Sequence, residues 1–190
     1  MLYIISGTSR SGKTILAKKL MQQTGIPYVS LDWLVMGFTN GIPEYGIHDK
    51  LWPDEIAERF WPFLKAMCES MIWSGTNCII EGEAVLPELI AELLKKHPDK
   101  IKICFVGYSH VNLKDKVKEV YAHSLGEKDW LTKEPEDYVE KHITNMIGYS
   151  QRIEQDCKAY GITYFDTSKK FTQVLNAAMA YLQKKRGLIL

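Results

Sequence analysis

Eight consecutive residues near the start of the chain have the types and spacing of a phosphate-binding loop. Glycine at both ends frees successive backbone N–H groups to point inward at a polyphosphate. A lysine can then reach the β- and γ-phosphates, and the last hydroxyl is a ligand for Mg²⁺. We therefore predict that the loop binds Mg²⁺ and the phosphates of a nucleoside triphosphate. The residues, which match G-x-x-x-x-G-K-[ST], are Gly7, Thr8, Ser9, Arg10, Ser11, Gly12, Lys13 and Thr14.

The elements on either side of the loop support this interpretation. The apolar run at 2–5 predicts a buried strand, and the residues after Lys13 have a helical periodicity that ends at Gly25. A glycine-rich turn that binds no ligand is the alternative. We favour phosphate binding because strand, loop and helix follow one another in the order that the motif requires.

Acidic side chains follow the second and third predicted strands. Asp32 comes after the run at 26–30, and Glu81 and Glu83 lie at the end of the run at 77–81. Since ligands gather at the carboxyl edge of a parallel sheet, we expect these acids to share one cleft with the phosphate-binding loop. The alternatives are an N-cap role for Asp32, an ion pair with a lysine for Glu81 and a solvated turn for Glu83.

Five short apolar runs alternate with helical patterns along the chain, at 2–6, 26–30, 77–81, 101–106 and 162–165. The alternation predicts an α/β fold with three α/β/α layers and a five-stranded parallel sheet. We expect a helical insert at 33–76, in which Pro62 kinks or splits a helix and His48 lies in a loop. Residues 110–152 are predicted to form a helical lid that carries Lys114, Lys116 and Lys118.

Composition limits the class of protein. A chain of 190 residues with 46% hydrophobic residues suits a single domain over 1–190, and a net charge of +1 gives no basic field for nucleic acid. No apolar stretch is long enough to cross a membrane, and no signal-peptide pattern precedes the first strand. We therefore predict a cytoplasmic protein, monomeric or homodimeric, without nucleic-acid or membrane partners. Its four cysteines lack metal or redox spacing.

The motifs together resemble one family of phosphotransferases. The chain has no N-K-x-D string of the GTPase type. The apolar run at 78–81, which ends in Glu81, is shorter than the corresponding strand of motor ATPases. The phosphate-binding loop, the acid that closes the second strand and the five short strands resemble the nucleoside-monophosphate-kinase-like family of P-loop small-molecule kinases. The segment from Ile79 to Gly82, followed by Leu86-Pro87, is similar to the 2-phosphoglycerate-kinase-like members.

The resemblance implies an ATP- and Mg²⁺-dependent kinase and suggests roles for individual residues. In this family, Asp32 would orient or deprotonate the acceptor hydroxyl, and Thr14 and Glu81 would hold Mg²⁺. The loop after the last strand, with Thr167 and Ser168, would pack against the adenine. For the arginine that reaches the transferred phosphoryl group we favour Arg152 and keep Arg10 as the second candidate; a surface ion pair is the alternative for both.

Departures from the family pattern limit the acceptor. Adenylate-kinase-type members continue their third strand with Asp-Gly-Phe-Pro-Arg, whereas this chain has Glu81-Gly82-Glu83-Ala84-Val85 and only four arginines in total. Because phosphate esters are usually held by arginine forks, a nucleoside monophosphate is a poor acceptor. We predict a small hydroxylated or cationic acceptor, a metabolite or an antibiotic-like compound, that contacts Asp32, Glu81, Glu83 and His48. The alternative function is a nucleotide-binding regulatory switch with slow ATPase activity.

Overall fold

The computed structural model describes residues 1–124, 126 and 129–184. The predicted α/β fold is confirmed, because five parallel strands alternate with helices. The strands are β1 (Leu2–Gly7), β2 (Tyr28–Ser30), β3 (Cys78–Glu81), β4 (Ile101–Gly107) and β5 (Tyr164–Asp166). The helices are α1 (Lys13–Thr24), α2 (Leu31–Gly41), α3 (Pro53–Trp73), α4 (Pro87–Lys96), α5 (Leu113–Ala122), α6 (Glu136–Tyr160) and α7 (Phe171–Gln183). Short 3-10 turns cover Pro43–Tyr45 and Leu131–Lys133.

The sheet has the order β2-β3-β1-β4-β5, so β1 and its following loop lie at the centre. Ile5 of β1 is paired with Glu81 of β3, and Glu81 in turn with Ser30 of β2. The carboxyl ends of β2 and β3 are therefore level with one another, and β1 continues for two residues beyond them. This register places whatever follows each strand at the same edge of the sheet.

Helices cover both faces of the sheet. Successive residues of β1 point to opposite faces, so Ile4 packs with the core that α2, α3, α4 and α6 contribute, and Ile5 packs with the core of α1 and α7. A third, smaller cluster joins α5, the turn at Leu131–Lys133 and the start of α6. The predicted lid region thus has a core of its own beside the carboxyl edge of the sheet.

Two local predictions need correction. The second strand contains only Tyr28–Ser30, and the chain turns at once into α2, so Asp32 lies in the first turn of that helix rather than before it. Pro62 does not split α3, which runs from Pro53 to Trp73. Because Pro62 and Glu58 lie on the exposed side of α3, solvent can reach the carbonyl oxygen that the proline leaves unpaired. Within the described residues, no helix combines the length and hydropathy that a membrane span needs.

Candidate active site

The phosphate-binding loop lies tightly against the neighbouring strand β4. Gly7 has φ of 123°, and a Cβ atom built on it would lie 2.0 Å from the carbonyl oxygen of Val106. Gly12 has φ of 97° and precedes the first residue of α1. Only glycine combines such backbone angles with this close approach. The sequence therefore fixes both ends of the loop and points the N-terminus of α1 toward its centre.

The inside of the loop offers hydrogen-bond donors that the described residues do not use. Thr8 Oγ1 and Ser11 Oγ are buried and have no hydrogen-bond partner in the described part of the chain. Buried hydroxyls are normally paired, so two unpaired ones at a helix N-terminus fit the oxygens of a bound phosphate. Lys13 Nζ donates to the carbonyl oxygen of Thr8 at 2.7 Å, which holds the ammonium group over the same loop.

Thr14 and Glu81 form a pair of oxygen donors beside the loop. Thr14 Oγ1 donates to Glu81 Oε1 at 3.0 Å, and Glu81 is buried at the end of β3. Burial raises the pKa of the Glu81 carboxyl, while the charge of Lys13 and the bond from Thr14 act in the opposite direction. Mg²⁺ commonly takes one or two protein oxygens and completes its shell with phosphate oxygens and water, so this pair fits Mg²⁺ bound together with a nucleotide. No group of three or more acidic, histidine or cysteine side chains in the described ranges could hold a metal ion alone.

Asp32, Glu83 and Lys13 lie close enough for their charges to interact next to this pair, and we refer to the space beside them as the cleft. Lys13 Nζ lies 3.4 Å from Glu83 Oε1 in a half-buried ion pair. The Asp32 side chain is open to solvent at the mouth of the cleft, yet partial desolvation raises the pKa of its carboxyl. The charge of Glu83 raises that pKa further, and the charge of Lys13 lowers it. A carboxylate that could act as a base therefore lies within electrostatic reach of the phosphate-binding lysine.

Close packing between β3 and α2 brings these groups together. A Cβ atom on Gly82 would lie 2.6 Å from Leu31 Cβ, so a larger residue there would push the first turn of α2 away from the end of β3. Leu31 is fully buried in the core under this contact. The contact between Leu31 and Gly82 therefore also sets the position of Asp32, the next residue of α2. The spacing between Asp32 and Glu83 depends on this glycine.

Arg152 and His48 lie elsewhere on the side of the insert. Arg152, in α6, donates from Nη1 to Asp54 Oδ2 at 2.9 Å and lies 3.7 Å from Asp156. The Arg152 guanidinium lies over the ring of Tyr149, 5.9 Å from its centre, and burial raises the pKa of the Tyr149 hydroxyl. His48 precedes α3, and its Nδ1 is buried without a hydrogen-bond partner in the part of the chain that the structure describes. The contacts of the described residues do not bring His48 together with Asp32.

Thr167 and Ser168 lie on the opposite side of the phosphate-binding loop, after β5. Thr167 Oγ1 donates to the carbonyl oxygen of Gly107 at 2.9 Å, and Ser168 Oγ accepts from the backbone N–H of His110 at 2.9 Å. His110 Nδ1 is 2.8 Å from Asp166 Oδ2. These bonds join the ends of β4 and β5. The sheet order thus separates the acidic cleft beside β2 and β3 from a polar surface beside β4 and β5.

Sequence reasoning missed Asp129 and Tyr108 near the loop, and it named Lys116 as a lid residue without its contact with Arg10. Asp129 forms a two-point ion pair with Arg10, and Lys116 donates to the carbonyl oxygen of Arg10 at 3.0 Å. Tyr108 is buried just after β4, with Lys116 Nζ 4.2 Å from the centre of its ring. The position of Tyr108 after a strand was a usable signal. Lys116 and Asp129 lie more than a hundred residues from Arg10 in sequence, and nothing local identifies their contacts with it.

Solved structures of small-molecule kinases have the same fold at low sequence identity. A shikimate kinase from Bacteroides thetaiotaomicron is 14% identical with a TM-score of 0.59, over 97% of this chain and 99% of that chain. A gluconokinase from Sinorhizobium meliloti 1021 is 17% identical with a TM-score of 0.54, over 95% and 90% of the two chains. A sugar kinase from Janibacter sp. HTCC2649 is 18% identical with a TM-score of 0.53, over 95% and 93%.

These similarities define the fold class: the chain has the fold of the P-loop small-molecule kinases, as the resemblance in the sequence predicted. The phosphate-binding loop occupies the loop after the central strand β1. No protein-family model and no curated protein sequence matches the chain.

Proposed function

We propose that this protein is a Mg-ATP-dependent kinase that transfers the γ-phosphoryl group to a hydroxyl of a small metabolite or antibiotic-like compound. One observation carries the proposal. Asp32 lies in the first turn of α2, which packs against Gly82 just before Glu83, and Glu83 is paired with Lys13 Nζ at 3.4 Å. A carboxylate beside the ion pair of the phosphate-binding lysine suits a base for an acceptor hydroxyl next to a γ-phosphate.

The sheet order supports one orientation of the two substrates. The phosphates would lie on the loop after β1, with the adenine toward Thr167 and Ser168 beside β5. The acceptor would then occupy the opposite side, beside Asp32, Glu81 and Glu83. In this arrangement the γ-phosphate would lie between the ADP part of ATP and the acceptor hydroxyl, as an in-line transfer requires. Thr14 and Glu81 would hold Mg²⁺, which neutralises charge on the phosphates when it is bound.

The chain's own residues then bind the phosphates and accept one proton. Lys13 and the loop amides hold the β- and γ-phosphates, and Asp32 accepts a hydrogen bond from the acceptor hydroxyl. The acceptor oxygen forms a bond to the γ-phosphorus while the bond from that phosphorus to the β–γ bridging oxygen breaks, and ADP leaves with the bridging oxygen. The hydroxyl proton passes to the carboxylate of Asp32.

The arginines support an acceptor without a phosphate or carboxylate group. Arg152 is paired with Asp54, and Arg59 donates to the carbonyl oxygen of Gly46 at 2.6 Å. Both guanidinium groups on the side of the insert are therefore engaged within the protein. The cleft itself carries the carboxylates of Asp32 and Glu83, which favour polyols and amino-substituted alcohols over anions.

The test is ADP release from Mg-ATP across a panel of sugars, polyols, hydroxy acids, nucleosides and aminoglycosides. We expect one class of neutral or cationic hydroxyl compound to stimulate release by the wild type and not by Lys13→Ala. Lys18→Ala, an exposed lysine of the same helix α1, is the matched control and should behave as the wild type. Slow hydrolysis that no acceptor stimulates would contradict the proposal and favour a nucleotide-dependent switch.

A further inference from the structure

Arg10 has an unusual backbone conformation in the middle of the phosphate-binding loop. Its φ is 57°, in the left-handed region that residues other than glycine seldom adopt. Among the described residues other than glycine, only Lys170 shares this feature. Such conformations persist where surrounding contacts hold them, and they concentrate at functional sites.

A buried lysine holds the backbone of Arg10. Lys116 Nζ donates to the Arg10 carbonyl oxygen at 3.0 Å and to Glu119 Oε1 at 2.8 Å. Lys116 is only 2% exposed, which is rare for a lysine. The loop carbonyl is thus one of the groups that compensate a buried ammonium, and α5 is attached to the loop at Arg10.

A buried carboxylate holds the side chain of Arg10. Its Nη1 donates to Asp129 Oδ2 at 3.0 Å, and its Nη2 donates to Asp129 Oδ1. Asp129 is 4% exposed, and its Oδ1 also accepts from the backbone N–H groups of Leu131 and Thr132 at 3.2 and 3.4 Å. The guanidinium of Arg10 lowers the pKa of the Asp129 carboxyl, which therefore stays ionised at neutral pH.

The two candidate arginines differ in their surroundings. Arg152 lies in α6, and its ion pairs with Asp54 and Asp156 place it on the side of the insert, where both partners are partly exposed. Arg10 belongs to the phosphate-binding loop itself, and its two-point partner is buried. A two-point bond to a fixed carboxylate orients a guanidinium in advance, so little ordering remains when its other N–H groups meet a phosphate.

We infer that Arg10 is the catalytic arginine that contacts the transferred phosphoryl group, and that Asp129 is the residue that positions it. This inference rests on the proposed kinase function and replaces Arg152 in that role. It also gives Asp129 a specific role, because its carboxylate holds the guanidinium of a loop residue in one orientation.

Arg10→Gly is the informative variant. Glycine adopts the left-handed backbone without strain and keeps the carbonyl oxygen that Lys116 needs, so the fold is retained while the guanidinium is lost. Binding of ADP and of a non-hydrolysable ATP analogue can be compared by calorimetry without any acceptor. We expect Arg10→Gly to weaken the analogue about tenfold and to leave ADP almost unchanged, because only the analogue carries a γ-phosphate.

Asp129→Asn tests the positioning role. The amide oxygen of asparagine can still accept hydrogen bonds from the backbone of Leu131 and Thr132. Asparagine has no negative charge and only one accepting oxygen, so it cannot form the two-point bond with the Arg10 guanidinium. We expect Asp129→Asn to reduce the preference for the ATP analogue over ADP in the wild type and to have no effect on that preference in Arg10→Gly. Glu134→Gln, an exposed acid after the same 3-10 turn, is the control and should change neither.

Several results would overturn the inference. The first is that Arg10→Gly prefers the ATP analogue over ADP as strongly as the wild type does. The second is that Arg152→Ala loses this preference while Arg10→Gly keeps it. The third is that Asp129→Asn changes the preference equally in the wild type and in Arg10→Gly. A purely structural Asp129 would alter thermal stability and the binding of both nucleotides alike. Because no acceptor is needed, failure to find an acceptor leaves this test intact, whereas a wild type that does not distinguish the two nucleotides overturns the inference itself.

Discussion

The ammonium group of Lys13 lies 3.4 Å from the carboxylate of Glu83, so the lysine of the phosphate-binding motif is already paired with an acid of the proposed acceptor cleft. A γ-phosphate on the loop would compete with Glu83 for the same charge. In the proposed reaction both substrates therefore contact the ion pair of Lys13 and Glu83. Substitution of Glu83 should change the KM for ATP and the KM for the acceptor in opposite directions.

Replacing Glu83 by Gln should separate the two substrates. Loss of the negative charge frees Lys13, so we expect the KM for ATP to fall by roughly two- to fivefold, the effect of a partly exposed ion pair. The KM for the acceptor should rise, since Glu83 faces the acceptor cleft. Glu92→Gln removes a surface ion pair with Lys65 and is the control. A KM for ATP that does not fall in Glu83→Gln would contradict competition between Glu83 and the γ-phosphate for Lys13.

Asp32 should set the acid limb of the pH profile. Because desolvation and the charge of Glu83 raise its pKa, Asp32 keeps a proton at pH values where an ordinary aspartate is ionised. A protonated carboxyl cannot take the proton of the acceptor, so activity should fall as the pH drops through a midpoint above the usual value of about 3.9. In Glu83→Gln the midpoint should move to lower pH. If the midpoint pH of Glu83→Gln equals that of the wild type, Asp32 does not determine the loss of activity at low pH.

Glu81→Gln should increase the requirement for Mg²⁺. Glu81 Oε1 accepts the hydrogen bond of Thr14, and its negative charge would favour a divalent cation beside the phosphates. We expect the Mg²⁺ concentration at half-maximal rate to rise by about tenfold, with the rate restored at high Mg²⁺. The measurement is the rate as a function of free Mg²⁺ at saturating ATP. An unchanged Mg²⁺ dependence would exclude Glu81 from the metal site.

Gly7→Ala should destabilise the whole fold. The new Cβ atom would meet the carbonyl oxygen of Val106 at 2.0 Å, and the φ of 123° is unfavourable for alanine. We expect a loss of roughly 3 kcal/mol or more in the free energy of unfolding, measured with urea. Gly148→Ala, with no atom within 4 Å of its new Cβ, lies inside α6 and should be neutral or stabilising by up to about 1 kcal/mol.

Local patterns in the sequence predicted much of the fold. The phosphate-binding motif depends on eight adjacent residues. The buried residues Val139, Ile143, Met146 and Ile153 recur with a helical period along α6. The second strand was harder to predict. Residues 28–32 have strand-like composition, but contact between Leu31 and Gly82 allows α2 to begin directly after Ser30.

Contacts distant in sequence explain what could not be predicted of the site. Helix α5 carries three lysines, Lys114, Lys116 and Lys118. Only Lys116 is buried, because its side of α5 faces the phosphate-binding loop. Asp129 is 119 residues from Arg10 and shows no motif. Such pairs form only when Asp129 and α5 lie against the phosphate-binding loop. No periodicity in either segment encodes that arrangement.

The most direct test of the kinase function follows the phosphoryl group itself. ATP labelled in the γ-phosphate is incubated with an acceptor that stimulates ADP release, and the label is separated into acceptor phosphate ester and inorganic phosphate. We expect the wild type to place the label on the acceptor, and Asp32→Asn to bind nucleotide normally while transferring about a hundredfold more slowly, with Asp49→Asn as an exposed acid control. Label found only in inorganic phosphate, at a rate that neither the acceptor nor Asp32→Asn changes, would contradict phosphoryl transfer as the function of this protein.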